Sequence, residues 1–489
     1  MSYIPSSHQH DLSRSKLYLD TEQSVRPKIA LLNSMDLIDD YLDHINISLE
    51  TFCHDFTGNW MFGFAKALSI VGVDTTLFYV STRVSEPTYL IHQKTQIPMC
   101  ILPASSSYRL YRFVRAKLLK QYGAEAGQSF KQVWAEKGQP SQPDSLIVRL
   151  KDGIKSLGTY LATPLPQFAK ELKQQGCRAL MCQEYESPRF DTCVLLGQLT
   201  GIRSFATFQG GDKTQSSIER WSRQWAFDRC TGVLVSPQKE IDRIRQCYDV
   251  APDKVSRIFT PIDTAIWHAV PQMAARTALG LPQDARMVVC HGRIDMHRKG
   301  LDILLLAWEQ LCRDRPNADL RLVLVGTGPD SAKMRQWISD RQLRGIIWRD
   351  EFVNDQPTIR QYLSAADVYV MASRQEGFPI APLEAMACGL PIVAADAPGV
   401  PDILEQGEAS GGVMVARESV DELAIALGRI LDDPVLGIQL GTQARQRIEQ
   451  SFSPLAIGRQ LRSVLLGEPL APLPSAEERS PMPHMPHNV

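Results

Sequence analysis

The sequence predicts an α/β protein in which two doubly wound, parallel-sheet domains face each other across a cleft. The length of 489 residues exceeds what one hydrophobic core usually organises and suits two domains with additional segments. Short β-rich runs alternate with helical patterns along most of the chain, which favours parallel sheets covered by helices on both faces. The alternation starts again after Thr260–Asp263. A second sheet therefore follows the first, and the crevice between them is the natural ligand site.

The first half supplies the strands of an N-terminal domain. A helix with apolar residues of Met61–Leu68 on one face follows the opening strand and ends at Gly72. Ser236 and Pro237 begin a later helix, because serine can accept hydrogen bonds from first-turn amides and proline at the first position loses none. The predicted strands are Lys28–Leu32, Thr76–Val80, Ala179–Cys182, Ser204–Phe208 and Gly232–Val235.

The second half repeats this order in a C-terminal domain. Its first strand is followed by apolar residues at helical spacing from Leu301 to Cys312. The predicted strands are Met287–His291, Leu320–Val325 and Ala366–Met371. We divide the chain into an N-terminal domain (27–262), a C-terminal domain (263–453) and a last helix (454–467). Residues 1–26 and 468–489 are expected to be flexible, because the first are polar and the last are rich in proline, serine and charge.

Composition narrows the class of protein. A formal net charge of −1 argues against a nucleic-acid binder that neutralises many phosphates. The ten cysteines are scattered without a C-x-x-C pair, which is typical of reduced thiols in a cytoplasmic protein. No apolar run suits a signal peptide or a membrane-spanning helix. We therefore expect a cytoplasmic protein, with any membrane contact peripheral and on the inner face.

The most informative segment, residues 373–391, follows a predicted strand. It places Glu376 and Glu384 eight positions apart around a Gly-Phe-Pro turn that opens a helix. Glu376 falls at the carboxyl end of a buried strand, where open α/β sheets bind ligands. The amides of Gly377 and Phe378 stand near a helix N-terminus, which favours an anion. The segment therefore combines donors for a phosphate with acceptors for sugar hydroxyls.

A cationic loop follows the first strand of the C-terminal domain. Residues 292–300 contain Arg293, Arg298 and Lys299, which are predicted to face the same crevice as the two glutamates. Fixed cations there can stabilise the charge that develops on a departing diphosphate, a task that a metal can otherwise perform. The alternative is a solvated basic loop before a helix. His291 ends the strand, and we expect a packed or capped residue because no carboxylate is adjacent in sequence.

These segments resemble two motifs of the retaining nucleotide-sugar glycosyltransferases of family four, also described as glycosyl transferases group 1. The motifs are the pair of glutamates eight positions apart and the Gly-Arg and Lys-Gly pair, and the family has the GT-B fold of two Rossmann-like domains. The resemblance is strong over residues 288–431 and covers the first domain only through strand order. It implies that the Rossmann-like domain 27–262 binds the acceptor, that the Rossmann-like domain 263–453 binds the nucleotide sugar, and that the helix 454–467 crosses back to the first domain. It implies that Glu376 lies beside the donor sugar and that Glu384 holds the nucleotide ribose hydroxyls. It also implies that Arg293 and Lys299 clamp the phosphates, so Arg293, Lys299 and Glu376 are the candidate catalytic residues.

The resemblance implies a wider donor site as well. The loop 325–329, with its G-x-G pair, would line the nucleotide pocket, although a tight turn also explains that pair. Phe352 and Val353 would flank the base; the alternative is that they belong to the core. Gly58 stands where relatives have two glycines near the donor phosphates. The candidate donor-binding residues are Gly58, Gly292, Arg293, Lys299, Gly326, Gly328, Phe352, Val353, Glu376, Gly377, Phe378, Pro379 and Glu384.

The first domain departs from the family on the acceptor side. Where relatives place histidines after the middle strands, this sequence has Gln183 or Glu184 and, further on, a Gln-Gly-Gly-Asp run ending at Asp212. An amide can bind a hydroxyl but cannot take its proton. We predict Glu184 and Asp212 as acceptor-binding residues, with capping or solvated turns as the alternative. In the mechanism proposed for retaining relatives, a donor phosphate oxygen takes that proton.

Neither a D-x-D sequence nor a histidine spacing typical of metal ligands occurs. We therefore expect no metal and no cofactor besides the nucleoside diphosphate sugar, which is a co-substrate. Between Ser105 and Gly123, within the poorly patterned region 105–166, aromatic and basic residues occur without an acidic one. This favours either peripheral contact with an anionic bilayer or lipid-linked acceptor, or a surface helix that packs its aromatic residues inward.

The sequence hypothesis is thus a retaining transfer of a hexose-type sugar from a nucleoside diphosphate donor to a hydroxyl acceptor, lipid-linked or polysaccharide. The first alternative is a nucleotide-sugar epimerase or hydrolase on the same fold. The second is a non-catalytic scaffold that binds sugar nucleotides.

Overall fold

The computed structural model describes residues 26–34, 37–44, 47–55, 60–121, 160–208 and 217–470. These residues form two domains, each built on a sheet of mainly parallel strands with apolar clusters on both of its faces. The predicted fold class, two doubly wound α/β domains, is confirmed. The two chain ends predicted to be flexible fall almost wholly outside the described residues.

The N-terminal domain contains a sheet that, among the described residues, has eight strands in the order β3-β4-β2-β1-β5-β6-β7-β8. All neighbouring pairs are parallel except β3 and β4, which are antiparallel. The elements in chain order are β1 (Lys28–Leu32), α1 (Ile38–His44), α2 (Leu49–Asp55), α3 (Trp60–Ile70), β2 (Asp74–Ser81), β3 (Thr88–Ile91), β4 (Pro98–Pro103), α4 (Ser106–Gln121), α5 (Leu165–Gln174), β5 (Cys177–Cys182), α6 (Pro188–Thr200), β6 (Arg203–Thr207), α7 (Ser217–Arg229), β7 (Gly232–Val235), α8 (Gln238–Tyr248) and β8 (Val255–Arg257).

The C-terminal domain contains a parallel sheet that, in the described part of the chain, has six strands in the order β11-β10-β9-β12-β13-β14. The strand order reverses between β9 and β12. The elements are α9 (Gln272–Leu279), β9 (Arg286–His291), α10 (Leu301–Asp314), β10 (Leu320–Val325), α11 (Ser331–Asp340), β11 (Ile346–Arg349), α12 (Gln356–Ala365), β12 (Val368–Met371), α13 (Ala381–Ala387), β13 (Ile392–Ala395), α14 (Val400–Ile403), β14 (Gly412–Val415), α15 (Val420–Asp432), α16 (Pro434–Arg447) and, after a π-helical turn, α17 (Pro454–Leu466).

Burial on both sheet faces explains why the strands read as continuous apolar runs. In β1, Ile29 and Leu31 pack into one cluster while Ala30 and Leu32 pack into another on the opposite face. A strand covered on both faces has no solvated side on which to place polar residues. Such runs correctly predicted β1, β2, β5, β6 and β7 of the first sheet. The equally buried β4 and the edge strands β3 and β8 were not predicted.

Helix α17 leaves the C-terminal domain and packs against α3 of the N-terminal domain. The guanidinium of Arg462 donates a 2.6 Å hydrogen bond to the carbonyl oxygen of Val71. A β-carbon on Gly458 would stand 2.1 Å from the carbonyl oxygen of Ala67, so only glycine allows the two helices to approach this closely. Where the chain passes between the domains, the amide of Ile262 donates to the carbonyl oxygen of Phe452 at 2.8 Å.

A buried carboxylate of the C-terminal domain caps a helix of the N-terminal domain. Asp402 accepts hydrogen bonds from the amide of Gln238 at 2.9 Å and from the guanidinium of Arg257 at 2.7 Å. The prediction that Ser236 caps this helix was wrong. Helix α8 starts two residues later, and the Ser236 hydroxyl donates instead to the carbonyl oxygen of Ile258 at 2.9 Å. The cap therefore comes from a residue that is distant in sequence.

The basic aromatic segment forms α4 directly after β4. Tyr108 is buried and Tyr111 half-buried against the domain, whereas Leu110 and Phe113 are exposed. Tyr108 and Tyr111 therefore pack inward, as one alternative drawn from the sequence has it. Phe113 remains on the surface, as the membrane-contact alternative requires. None of the helices in the described part of the chain combines the length and apolar character that a bilayer-spanning segment requires.

Candidate active site

The candidate site lies where the strand order of the second sheet reverses. The loops after β9 and β12 leave neighbouring strands at their carboxyl ends, which is where doubly wound sheets bind ligands. Together they enclose a cavity of about 130 Å³. Of the predicted donor-site residues, those that line it are Gly292, Arg293, Lys299, Glu376, Phe378 and Pro379.

Lys299 and Glu376 meet across this cavity. The Lys299 ammonium donates to Glu376 Oε1 at 2.7 Å, and the Ser373 hydroxyl donates to the same oxygen at 2.7 Å. The Glu376 side chain is 8% exposed, whereas that of Lys299 is 32% exposed. The carboxylate is therefore fixed by two donors on one oxygen. The partly exposed ammonium can still reach a ligand.

Glu384 has a partner that the sequence did not suggest. It lies in the first turn of α13, and its Oε2 is 2.9 Å from Nε2 of His291, the last residue of β9. The His291 ring also meets the buried Tyr369 ring edge to face, with centroids 5.5 Å apart. His291 is packed, as expected, but it has a carboxylate partner contributed by a different element.

Arg293 presents the most accessible cation of the predicted clamp. Its side chain is 53% exposed and, within the described chain, donates one long hydrogen bond of 3.4 Å to Asp295. The backbone beside it is open as well, because a β-carbon on Gly292 would have no atom within 4 Å. The Gly292 φ of 139° also requires glycine. A ligand anion can thus reach both the guanidinium and the main chain.

Arg374 ties the two site loops together. Its guanidinium forms a bidentate pair with Asp302 at 2.7 and 2.8 Å and donates to the carbonyl oxygen of His297 at 2.8 Å. Its own amide donates to the carbonyl oxygen of Arg298 at 2.9 Å. Arg374 thereby joins the loop that carries Glu376 to the segment just before Lys299.

Phe378 connects the same loop to the domain junction. Its ring stacks on Phe259 at a centroid distance of 5.5 Å and on Phe452 at 6.4 Å. Gly399 lies against the loop, and a β-carbon there would stand 2.9 Å from Pro379. Gly377 belongs to the same loop, between Glu376 and Phe378.

The remaining donor-site candidates of the C-terminal domain, Gly326, Gly328, Phe352 and Val353, do not line the cavity. A β-carbon on Gly326 or Gly328 would clash with the carbonyl oxygen of Gly292 or Ile294, at 2.0 and 2.1 Å. These glycines thus let two loops pack together. Phe352 is 80% exposed, so it does not belong to the core, while Val353 packs partly against the core.

The first-domain candidates that the structure describes, Gln183 and Glu184, do not line the cavity. Glu184 is buried after β5, where its Oε1 accepts from the amide of Glu186 at 3.3 Å. Gln183 joins the ends of β5 and β1, because its side-chain oxygen accepts from the amide of Ser34 at 3.1 Å. Gly58 and Asp212 lie outside the described residues.

The cavity also contains a thiol. Burial raises the pKa of Cys290 to about 11, with Lys299 opposing and Glu376 adding to the shift. The thiol is therefore protonated at neutral pH and unsuited to act as a nucleophile. The cavity thus offers carboxylates and cations as its reactive groups. In the described residues, no three histidine, cysteine, aspartate or glutamate side chains cluster as a metal site would require.

Sequence reasoning missed three residues that shape the site: His291, Ser373 and Arg374. Ser373 and Arg374 lie just before Glu376 in the sequence, so a place near the site could have been predicted for them. The residues that they contact could not. His291 precedes Gly292 and Arg293. Its carboxylate partner lies 93 positions further on.

Solved structures with the same architecture are glycosyltransferases of the GT-B fold. Sucrose-phosphate synthase from Thermosynechococcus elongatus has a TM-score of 0.58 and 18% identity, covering 90% of this chain and 99% of that one. The Anabaena protein Alr3699/HepE, solved in complex with UDP, has a TM-score of 0.61 and 16% identity, covering 90% and 100%. The chain therefore has the GT-B fold.

The sequence comparisons concentrate on the C-terminal domain. Residues 285–433 match the family model described as Glycosyl transferases group 1. D-inositol 3-phosphate glycosyltransferase of Saccharomonospora viridis is 32% identical over 251 residues, 50% of this chain and 58% of that protein. The GDP-mannose-dependent monoacylated alpha-(1-6)-phosphatidylinositol monomannoside mannosyltransferase of Corynebacterium glutamicum is 31% identical over 204 residues, 40% and 51%. The resemblance to this family is confirmed, and the chain spans little more than half the length of these two relatives.

Proposed function

We propose that this protein is a retaining glycosyltransferase that moves a hexose-type sugar from a nucleoside diphosphate donor to a hydroxyl acceptor. One observation carries the proposal. Lys299 and Glu376 meet in a cavity at the switch point of the sheet, with Arg293 exposed beside them. This arrangement lies inside the segment that matches Glycosyl transferases group 1. It offers cations for a diphosphate next to a fixed carboxylate for a sugar.

In the proposed reaction, the bond between the anomeric carbon and the β-phosphate oxygen breaks, and its electron pair leaves with the phosphate. The acceptor oxygen forms its bond on the same face of the sugar. The acceptor proton passes to a phosphate oxygen, so the products are a glycoside and a nucleoside diphosphate. Arg293 and Lys299 stabilise the charge that develops on the leaving group, and Glu376 orients the sugar. No step requires a metal or a first-domain base.

The substrate classes follow the chemistry of the site and the names of the relatives. The solved Anabaena protein binds UDP, and two relatives are named for inositol phosphate and phosphatidylinositol-based acceptors. We propose a nucleoside diphosphate sugar as donor and a lipid-linked or polysaccharide hydroxyl as acceptor. Candidate acceptor contacts are Glu184 and Asp212 of the first domain.

A lipid-linked acceptor is compatible with the exposed face of α4. Leu110 and Phe113 are 64% and 68% exposed, and Arg109 and Arg112 beside them are exposed too. We propose peripheral contact with an anionic bilayer through this face. Vesicles rich in anionic lipid should retain the wild type and release the double variant Leu110→Ser, Phe113→Ser.

The matched control for α4 is Ile425→Ser, because Ile425 is 67% exposed on α15 of the other domain. If the anionic vesicles retained the double variant as well as the control, the membrane proposal would be wrong. Binding to neutral vesicles as strong as to anionic ones would do the same.

The transferase proposal is tested first by ligand binding. UDP-, GDP- and ADP-sugars are screened for a rise in unfolding temperature, since a ligand that binds only the native state stabilises it. The donor that binds is then incubated with and without candidate acceptors. Conversion without an acceptor would identify an epimerase or hydrolase. Binding without any turnover would identify a scaffold.

Two variants then test the residue roles. Arg293→Ala should lower kcat by about 100-fold, because it removes charge stabilisation in the transition state. Its unfolding temperature should not change, since the side chain is half exposed. Glu384→Ala should instead raise the donor KM by about tenfold, since it removes a charged hydrogen bond to the donor. Arg341→Ala, on an exposed ion pair with Glu309, is the control. Unchanged kinetics in both site variants would refute the assignment.

A further inference from the structure

The contact between His291 and Glu384 joins the end of β9 to the first turn of α13. His291 ends β9 and lines the cavity, while Glu384 projects from the first turn of α13. Their side chains are 10% and 19% exposed, and the distance from Nε2 to Oε2 is 2.9 Å. The edge-to-face contact with Tyr369 fixes the plane of the imidazole ring. The histidine is thus held rigidly enough to orient its partner.

The hydrogen-bond pattern selects one tautomer of His291. Nδ1 is buried and, among the described residues, has no hydrogen-bond partner. A proton on Nδ1 would be a buried donor without an acceptor and would leave the Nε2 lone pair facing a carboxylate oxygen. A neutral ring with its proton on Nε2 avoids both costs and donates to Glu384 Oε2. The contact is therefore a directed hydrogen bond to one carboxylate oxygen.

This bond restricts a flexible acceptor. A glutamate side chain loses rotamer entropy when a ligand immobilises it, and that loss weakens binding. His291 restricts Glu384 before any ligand binds and leaves Oε1 to accept from a hydroxyl. Such preorganisation raises affinity for a ligand that presents a hydroxyl at this point. It has no effect on a ligand that lacks the hydroxyl.

On the basis of the proposed function, we infer that His291 is a positioning residue that orients Glu384 and thereby sets the preference of the site for ribonucleotides. The ligand group is the pair of ribose hydroxyls of the donor nucleotide. His291 itself does not touch the reacting atoms. Its contribution is to hold the carboxylate that discriminates ribose from deoxyribose.

The test compares the affinities of two ligands in the full-length protein. Calorimetry measures the Kd of the nucleoside diphosphate that binds best and of its 2′,3′-dideoxy form. His291→Gln and His291→Leu are the informative pair, because both side chains fill similar space against Tyr369 but only glutamine carries a donor near the position of Nε2. His268→Gln is the control for loss of a histidine outside the cavity.

In the wild type, the ribonucleotide should bind more tightly than its dideoxy form. His291→Leu should reduce that preference by about tenfold, which is the loss of one charge-assisted hydrogen bond. Its affinity for the dideoxy nucleotide should stay within about twofold of wild type. His291→Gln should retain most of the preference. In the background of Glu384→Ala, replacing His291 by leucine should have no further effect, because the two residues act as a unit.

Three outcomes would overturn the inference. Equal losses of affinity for both nucleotides in His291→Leu would mean that the residue only supports packing. An unchanged preference in His291→Leu would mean that Glu384 needs no partner. A wild type that binds no nucleoside diphosphate would remove the proposed function and this inference with it. The first two outcomes leave the proposed function intact.

Discussion

Removal of Arg374 tests whether the geometry of the site depends on one cross-loop clamp. The side chain is 14% exposed and pairs with Asp302, which is 27% exposed. It also donates to the carbonyl oxygen of His297 and, at 2.6 Å, to Glu418. Replacing Arg374 by alanine leaves Asp302 without its bidentate partner and leaves the carbonyl of His297 without this donor.

The expected loss of stability follows from these contacts. Charge-assisted hydrogen bonds contribute about 1.5–3 kcal/mol, and the pair with Glu418, whose side chain is 62% exposed, contributes little. We expect Arg374→Ala to lower the unfolding free energy of the C-terminal domain by about 3 kcal/mol. For a domain of this size, that corresponds to a fall of about 9 °C in unfolding temperature.

The assay is differential scanning calorimetry of full-length protein with a matched control at the other end of α10. Arg315 makes a similar fork to Asp432, at 2.9 and 2.6 Å, but away from the cavity and with a more exposed partner. Arg315→Ala should therefore cost about 1 kcal/mol. Only Arg374→Ala should also weaken nucleotide binding, because it releases the loops that carry Lys299 and Glu376.

The pH dependence gives a second check on the same pair. Burial would raise the pKa of Asp302, but the hydrogen bonds from Arg374 outweigh it and lower the pKa below 3.8. A carboxylate with a lowered pKa contributes stability above its unfolded value and loses it as pH falls through the folded value. The gap between wild type and Arg374→Ala should thus be full at about pH 5 and shrink towards about pH 3. A gap no larger than that of Arg315→Ala at neutral pH would refute the clamp.

Three further outcomes are expected. A β-carbon on Gly300 would stand 1.9 Å from the carbonyl oxygen of Ala372, so Gly300→Ala should lower the free energy of unfolding by over about 3 kcal/mol. The control is Gly280→Ala, which has a similar positive φ but no atom within 4 Å and should lower it by about 1 kcal/mol. Equal unfolding temperatures of the two variants would contradict this prediction. Asp402→Ala should speed amide hydrogen exchange at Gln238, since that amide loses its acceptor; unchanged exchange would mean that the cap is dispensable. Dialysis against EDTA should leave transfer within about twofold, because fixed cations stabilise the leaving group; loss of activity restored by Mg²⁺ would exclude that role.

The fold was predictable because its signals are local. The strands β9, β10 and β12 are short apolar runs, and the loops that follow β9 and β12 carry distinctive residues at fixed spacing. Parallel topology places the carboxyl ends of neighbouring strands at one edge. Lys299 and Glu376, 77 positions apart, were therefore expected at the same edge of the sheet, although sequence order alone does not make β9 and β12 neighbours.

The partners of the site residues were less predictable because they depend on long-range side-chain geometry. The contacts of His291 with Glu384 and of Arg374 with Asp302 span 93 and 72 positions. The cap of α8 by Asp402 spans 164 positions. The rule that a serine just before a helix caps it therefore pointed to Ser236, which was wrong. Such pairings have no period and no turn signal. Edge strand β3 was missed because its alternately half-exposed and exposed residues lack the apolar run of a central strand.

The two passages of the chain between the domains lie side by side, joined by the hydrogen bond from Ile262 to Phe452. Any change in the separation of the two domains would have to bend both passages at the same place. The stacking of Phe378 on Phe259 and Phe452 puts that place next to the loop that carries Glu376.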